Sequence, residues 1–287
     1  LVTRSQSRVI PGVTAVTADI SDRRAAADAA RGADILYFCA APPYQDWTRS
    51  FMALQEGAIA AARATGAVLA VAENLYGYGV AGRLTDDMSL TAITRKGAVR
   101  ARMSHRLFEA HAAGEIRAVA GRAADFFGPG VRMSALGDRF WPELLKGKPV
   151  NWFGDPDALH SFTYLPDFAR ALIALAAAPD THGRAWHVGS PPVMTPRKVA
   201  AQAAALTALP EPKLRRTPRL VLQLVRFAIP AAGEMVEMEY SFANDFVMAH
   251  ADWTQRFGDT ATDWTRALEL TIACWRDETR TAAPAAA

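Results

Sequence analysis

The chain has 287 residues, 51% of them hydrophobic and 21% charged, with a formal net charge of +3 at pH 7. That suits a large core in one domain or two closely joined ones, and it leaves no clustered basic face for nucleic acid. Cys39 and Cys274 stand far apart with no metal-type spacing around them, and no apolar run reaches the roughly 18 residues of a membrane span, so a reducing, cytoplasmic setting is expected.

Leu1-Val2-Thr3-Arg4 reads as the tail of a strand, and the sequence does not start with Met. Val13 to Ala18 is a short β-rich run ending at Asp19. A helix is predicted from Asp22 to Arg31, stopped by Gly32, and a buried strand from Ile35 to Cys39. Asp46 to Thr65 is a long amphipathic helix closed by Gly66, followed by a strand over Val68 to Ala72. Lys96 to Ala113 has helical period, with Val99, Met103, Leu107 and Phe108 on one face, and Ala118 to Gly121 is a further strand. Strands alternating with helices predict βα units in a parallel, doubly wound sheet.

After Gly130 prolines punctuate shorter pieces. Helices are predicted over Asp167 to Ala178, Thr195 to Leu206 and Asp263 to Trp275, with a strand at Ala185 to Val188. Leu214 to Ile229 is apolar with Arg215, Arg216, Arg219 and Arg226, and Pro218 near its start. It fits an interfacial helix or, better, a lid over a substrate. The expected organisation is a regular α/β domain over 1–130, a C-terminal substrate lobe over 131–280 with segments returning to the first domain, and a disordered tail over 281–287.

Six segments, in order, resemble the NAD(P)-dependent epimerase/dehydratase family, the extended short-chain dehydrogenases. They are Leu1 to Arg4, Thr17 to Asp22, Gly32 to Ala41, Glu73 to Gly79, Arg122 to Gly130 and Phe162 to Ala169. The resemblance implies a Rossmann-like fold, a nicotinamide dinucleotide and a small-molecule substrate, with room for a homodimer. It also implies a first strand and Gly-x-x-Gly-x-x-Gly loop that this sequence does not contain before Asp19. One strand-turn-helix unit of roughly 25–30 residues is therefore expected upstream. Without it the chain as written is expected to bind neither NAD nor NADP.

The same resemblance assigns cofactor contacts. Cys39, Ala40 and Ala41 would let a ribose lie against the main chain, and Asp19 and Ile20 would edge the adenine. Arg4, with Thr3, Ser5 and Arg8 around it, presents donors and no acid, which favours NADP over NAD. The family's Ser/Thr, Tyr and Lys positions hold Asn74, Lys96 and Arg100, so its usual Tyr-based proton transfer is not available. Asn74, Tyr76 or Tyr78 supplies a proton or hydrogen bond instead, or Lys96 acts as acid/base beside Arg100, or the site binds without turnover. Arg95, Lys96, Arg100, Arg102 and Arg106 also fit a solvated helix face. Phe126, Phe127 and Trp152 line a pocket or belong to the core. His160 stands where nucleotide-sugar enzymes of the family carry an Arg for the phosphates, which argues for a non-nucleotide substrate. The leading function is an NAD(P)-dependent oxidoreductase or epimerase-like enzyme. The rivals are a non-catalytic NAD(P)-sensing or scaffold protein and a truncated chain without cofactor binding.

Overall fold

The computed structural model describes residues 1–5, 10–217 and 236–282, with side chains to 277. Arg8, Pro218, Arg219 and Arg226, the rest of 218–229 and the tail after 282 lie outside the described residues. In chain order the elements are β1 (Val2–Thr3), β2 (Val16–Thr17), α1 (Arg23–Ala29), β3 (Ile35–Phe38), α2 (Trp47–Thr65), β4 (Val68–Asn74), β5 (Gly82–Leu84), α3 (Arg95–Ala112) and β6 (Arg117–Ala123). Then come β7 (Asp125–Phe127), α4 (Trp141–Leu145), β8 (Val150–Phe153), β9 (Phe162–Tyr164), α5 (Leu165–Ala177), β10 (Ala185–His187) and α6 (Pro196–Thr207). Last are β11 (Leu214–Thr217), α7 (Tyr240–Ala243), β12 (Phe246–Met248), α8 (Ala251–Phe257) and α9 (Trp264–Ala282). Every strand pair with a resolved register is parallel, in an α/β, Rossmann-like arrangement.

Capping chemistry sets the helix ends. The Asp22 carboxylate accepts the amides of Arg24 and Ala25 at the start of α1. Thr94 accepts the Gly97 amide at the start of α3, and Thr195 that of Lys198 at α6. Gly66, at φ +70°, takes the left-handed conformation that ends α2.

The chain forms two compact units. The first contains Leu1–Gly79, Leu90–Arg122 and Leu172–Ala185. Its main sheet has the order β10-β6-β4-β3, with β10 entering at Ala185. The ladder runs from Ile35 opposite Val68 to Phe38 opposite Val71. Strands β1 and β2 form a separate pair, Val2 opposite Val16 and Thr3 opposite Thr17. The strand expected over Val13 to Ala18 contracts to two residues because Val13 and Val16 are exposed, with no face to bury. Strand β4 is buried along most of its length, as a central parallel strand must be. Phe51, Ile59, Leu69, Val71, Val99, Met103 and Leu107 form the core of this unit.

The second unit contains Val80–Ser89, Ala123–Ala171 and Trp186–Ala287. It holds three two-stranded parallel ladders, β5 with β12, β7 with β9 and β8 with β11. Phe127, Trp141, Trp152, Phe162, Trp264 and Leu268 are among its core residues. Phe127 and Trp152 are therefore core side chains. Leu214–Thr217, read from sequence as the start of an apolar helix or lid, is a strand paired with Val150–Phe153. Among the described residues no helix is long and apolar enough to cross a membrane.

Helix α1 packs on α2 through a glycine. A Cβ at Gly57 would overlap the Ile20 carbonyl oxygen, a backbone atom that cannot turn aside. Gly57→Ala should therefore destabilise the protein by about 3 kcal/mol or more, beyond ordinary core overpacking. Urea denaturation reads this directly, and an unchanged midpoint would show that Ile20 does not approach α2 this closely.

Candidate active site

The first unit buries a polar hub. Glu73, on β4, and Arg122, on β6, are each about 5% exposed. Arg122 Nε donates to Glu73 Oε2 at 2.8 Å. Its Nη1 donates to the Tyr78 hydroxyl and its Nη2 to Ser104 Oγ, both at 2.8 Å. Ser104 Oγ in turn donates to Glu73 Oε2 at 3.3 Å. One guanidinium thus ties together two strands, helix α3 and the turn Tyr76–Tyr78 that follows β4. Burial alone would depress the Arg122 pKa, but Glu73 and Tyr78 outweigh it and hold the group above the usual arginine range.

Helix α3 carries Lys96, Arg100 and Ser104 four residues apart, so they share one face. All three are buried. Arg100 Nη2 donates to the Ala72 carbonyl at 3.0 Å. Burial pulls it below the arginine range, with the Glu73 carboxylate opposing and the Arg122 charge adding to the shift. Each cation sits against a ring: Lys96 Nζ is 4.2 Å from the centroid of Tyr44, Arg100 is 4.9 Å from Phe51 and Arg122 is 5.2 Å from Tyr78. Such contacts are worth about 2 kcal/mol or more when desolvated. Trp47 packs edge-on against both Tyr44 and Phe51, which holds two of these rings in place. The helix can lie this close to the turn only because of glycine. A Cβ at Gly97 would come within 2.6 Å of the Tyr76 carbonyl oxygen and the Ala92 methyl.

Besides Arg100, two more of the candidate catalytic residues have structural bonds. Asn74 ends β4, and its Oδ1 accepts the Tyr76 amide at 3.2 Å. Tyr78 is 1% exposed and its hydroxyl faces Arg122, in the hub. Lys96 and Arg100 do not belong to a solvated face, although Arg95 and Arg102 on the same helix are exposed. Arg106 pairs with Glu56 at 2.9 Å. Apart from Tyr78, the members of the hub and the rings over Lys96 and Arg100 were not assigned roles from sequence. One signal was available: Lys96, Arg100 and Ser104 each precede an apolar residue of the Val99-Met103-Leu107 face by three positions.

The candidate cofactor residues lie at the carboxyl ends of the strands. Arg4 follows β1, Asp19 and Ile20 follow β2, and Cys39, Ala40 and Ala41 follow β3. Arg4, Asp19, Cys39, Ala40 and Ala41 are exposed, and Ile20 is partly buried against α1 and α2. Exposed small side chains follow β3, and an exposed guanidinium follows β1. No Gly-rich turn for a pyrophosphate occurs among the described residues. A cleft lined by Asp34, Thr65, Arg117 and His182 is at the opposite, amino ends of β3 and β4, away from all these residues.

The second unit holds two buried His–Asp pairs. His160 Nε2 lies 2.7 Å from Asp125 Oδ2, with its ring stacked on Phe242. His187 Nδ1 lies 3.0 Å from Asp86 and 2.7 Å from the Ala249 carbonyl.

The model of a family described as "NAD dependent epimerase/dehydratase family" matches residues 1–189. No curated protein sequence matches the chain significantly. Among solved structures, the chain is similar to DesIV, a dTDP-glucose 4,6-dehydratase from Streptomyces venezuelae with NAD and TYD bound. The TM-score is 0.73 at 17% identity, covering 96% of this chain and 83% of that one. It is similar to a GalE-like L-threonine dehydrogenase from Cupriavidus necator in its holo form, with TM-score 0.75, 16% identity and coverage of 95% and 89%. A UDP-glucuronic acid 4-epimerase from Bacillus cereus in complex with NAD gives TM-score 0.73, 15% identity and coverage of 92% and 80%. At these identities the likeness establishes the fold.

The hub predicts a structural role for the Tyr78 hydroxyl. Tyr78→Phe removes the acceptor facing Arg122 Nη1 and should cost about 1–3 kcal/mol, the range for a buried group left unpaired. Urea denaturation measures it; a midpoint equal to the parent's would show that the hydroxyl does not hold the hub.

Proposed function

Because the chain belongs to the NAD-dependent epimerase/dehydratase family, we propose that it is a nicotinamide-dinucleotide-dependent oxidoreductase or epimerase-like enzyme acting on a small, non-nucleotide organic molecule in the cytoplasm. The observation that carries this reading is Lys96. It is buried at the start of α3, one turn before buried Arg100 and beside the turn that follows Asn74. A nicotinamide, when bound, would take or give a hydride. Lys96 would hold or move the accompanying proton at Nζ. Asn74, with Oδ1 engaged by Tyr76, would use its Nδ2 donor to orient a polar atom of the substrate. Arg4, Asp19, Ile20 and Cys39 to Ala41 would bind the adenosine end. The Asp125–His160 pair supports a non-nucleotide substrate, because the residue standing where the family's phosphate-binding Arg is expected is an imidazole already engaged by a carboxylate.

A second reading, a cofactor-binding protein without turnover, is favoured by the internal bonds of Asn74, Tyr78 and Arg100. One set of measurements separates the two. Dinucleotide binding is followed by fluorescence; net oxidation is followed by absorbance at 340 nm, and epimerisation or dehydration, which return the hydride to the substrate, by chromatography of the products, with small hydroxy acids, small alcohols and UDP-glucose. The proposal expects a small non-nucleotide compound to be turned over. It also expects Lys96→Met to lose about 100-fold or more of that rate, with dinucleotide affinity unchanged within about twofold. Full activity in Lys96→Met would remove Lys96 from the chemistry. Turnover of UDP-glucose would contradict the substrate class. Dinucleotide binding with no turnover of any compound would favour the second reading.

A further inference from the structure

The ring over Lys96 stands on a rigid platform. Tyr44 opens a single turn of 3-10 helix, Tyr44–Asp46, between β3 and α2. Pro42 and Pro43 precede it and fix the backbone φ of the approach. The carbonyls of both prolines are bonded. The Asp46 amide donates to that of Pro43 at 2.7 Å, and Trp47 Nε1 to that of Pro42 at 3.2 Å. Trp47 stands edge-on to Tyr44, with ring centroids 5.0 Å apart, and 6.2 Å from Tyr76 on the turn after β4. These three aromatic residues are half-buried. Lys96, with Nζ 4.2 Å from the centroid of the Tyr44 ring, is only 2% exposed.

We propose that Tyr44 is a positioning residue for Lys96: the face of its ring, braced by Trp47, fixes the ammonium beside the loops that follow β3 and β4, where Lys96 holds or moves a proton. The inference rests on the reading of Lys96 as the proton-transfer group. A buried ammonium gives up its water shell, and the long lysine stem is free to swing away. A rigid ring answers both difficulties. Its quadrupole attracts the ammonium and not the neutral amine, and it does so at one place only. The work falls to the ring face, and none of it to the Tyr44 hydroxyl. Tyr44 would therefore act through Lys96 and not on the substrate.

The test compares the parent chain with Tyr44→Phe, which keeps the ring face, and Tyr44→Leu, which keeps apolar bulk without it. The first readout needs no substrate. Acetic anhydride acylates only the neutral amine, and peptide mass spectrometry compares Lys96 with the exposed Lys198. Tyr44→Leu should raise the relative reactivity of Lys96 by about tenfold, the scale of a desolvated cation–ring contact. Tyr44→Phe should leave it within about twofold of the parent. The second readout is turnover of whichever small compound the parent accepts. Tyr44→Leu should lower kcat by about tenfold with KM within about twofold, and Tyr44→Phe should restore most of the loss. Added to Lys96→Met, Tyr44→Leu should cost less than about twofold more. Parent-like reactivity of Lys96 in Tyr44→Leu would overturn the inference. So would a Tyr44→Phe as impaired as Tyr44→Leu, or a full further loss in the Lys96→Met background. A parent without turnover would overturn the enzyme reading itself, and the labelling alone would then decide whether Tyr44 holds Lys96.

Discussion

A carboxylate and a guanidinium buried together cannot lose one another without leaving a bare charge in the interior. The Glu73–Arg122 pair imposes that constraint on the first unit. Its two residues come from β4 and β6, and its remaining hydrogen bonds reach α3 through Ser104 and the post-β4 turn through Tyr78. The pair therefore sets where β4 ends, how α3 lies against that end, and how the Lys96 and Arg100 side chains enter the interior. Breaking a buried pair of this kind typically costs about 3–5 kcal/mol. That is a large part of a domain's roughly 5–15 kcal/mol of stability.

The same unit also buries two further cations, Lys96 and Arg100. It does so with aromatic faces and backbone carbonyls. Arg100 rests on Phe51 and donates to Ala72, and Lys96 lies over Tyr44. Glu73 Oε1 and Arg100 Nε are both buried without a hydrogen-bond partner, an acceptor and a donor inside one network. Such tension is typical of a site whose chemistry asks for buried charge, and it is where a fold gives up stability for function.

Local signals in the sequence were enough for the α/β class and for most elements of the first unit. Helix α2 is marked by its amphipathic period and by Gly66, α1 by Asp22, and β3 and β4 by continuous apolar runs. What was not legible depends on partners distant in sequence. Leu214–Thr217 looks like the start of a basic apolar helix, and only Val150–Phe153 makes it a strand. Gly82–Leu84 is three residues long and exists as a strand through Phe246–Met248. Glu73 and Arg122 read as ordinary charged residues within family motifs, since nothing nearby in sequence says that they meet 49 residues apart. Asn74, Lys96 and Arg100 were found because they replace expected residues. Their structural bonds were not found, because burial is a property of the packed unit.

The account stands on the claim that Glu73 and Arg122 hold the candidate site together as a pair. A double-mutant cycle tests it: Glu73→Gln, Arg122→Met and the double variant, each followed by urea denaturation. Each single change should cost about 3–5 kcal/mol. The double change should cost at least about 2 kcal/mol less than the sum of the two, because it leaves no unpaired charge behind. Single losses below about 1 kcal/mol that simply add would show that the two groups stabilise the unit independently, and would contradict the claim.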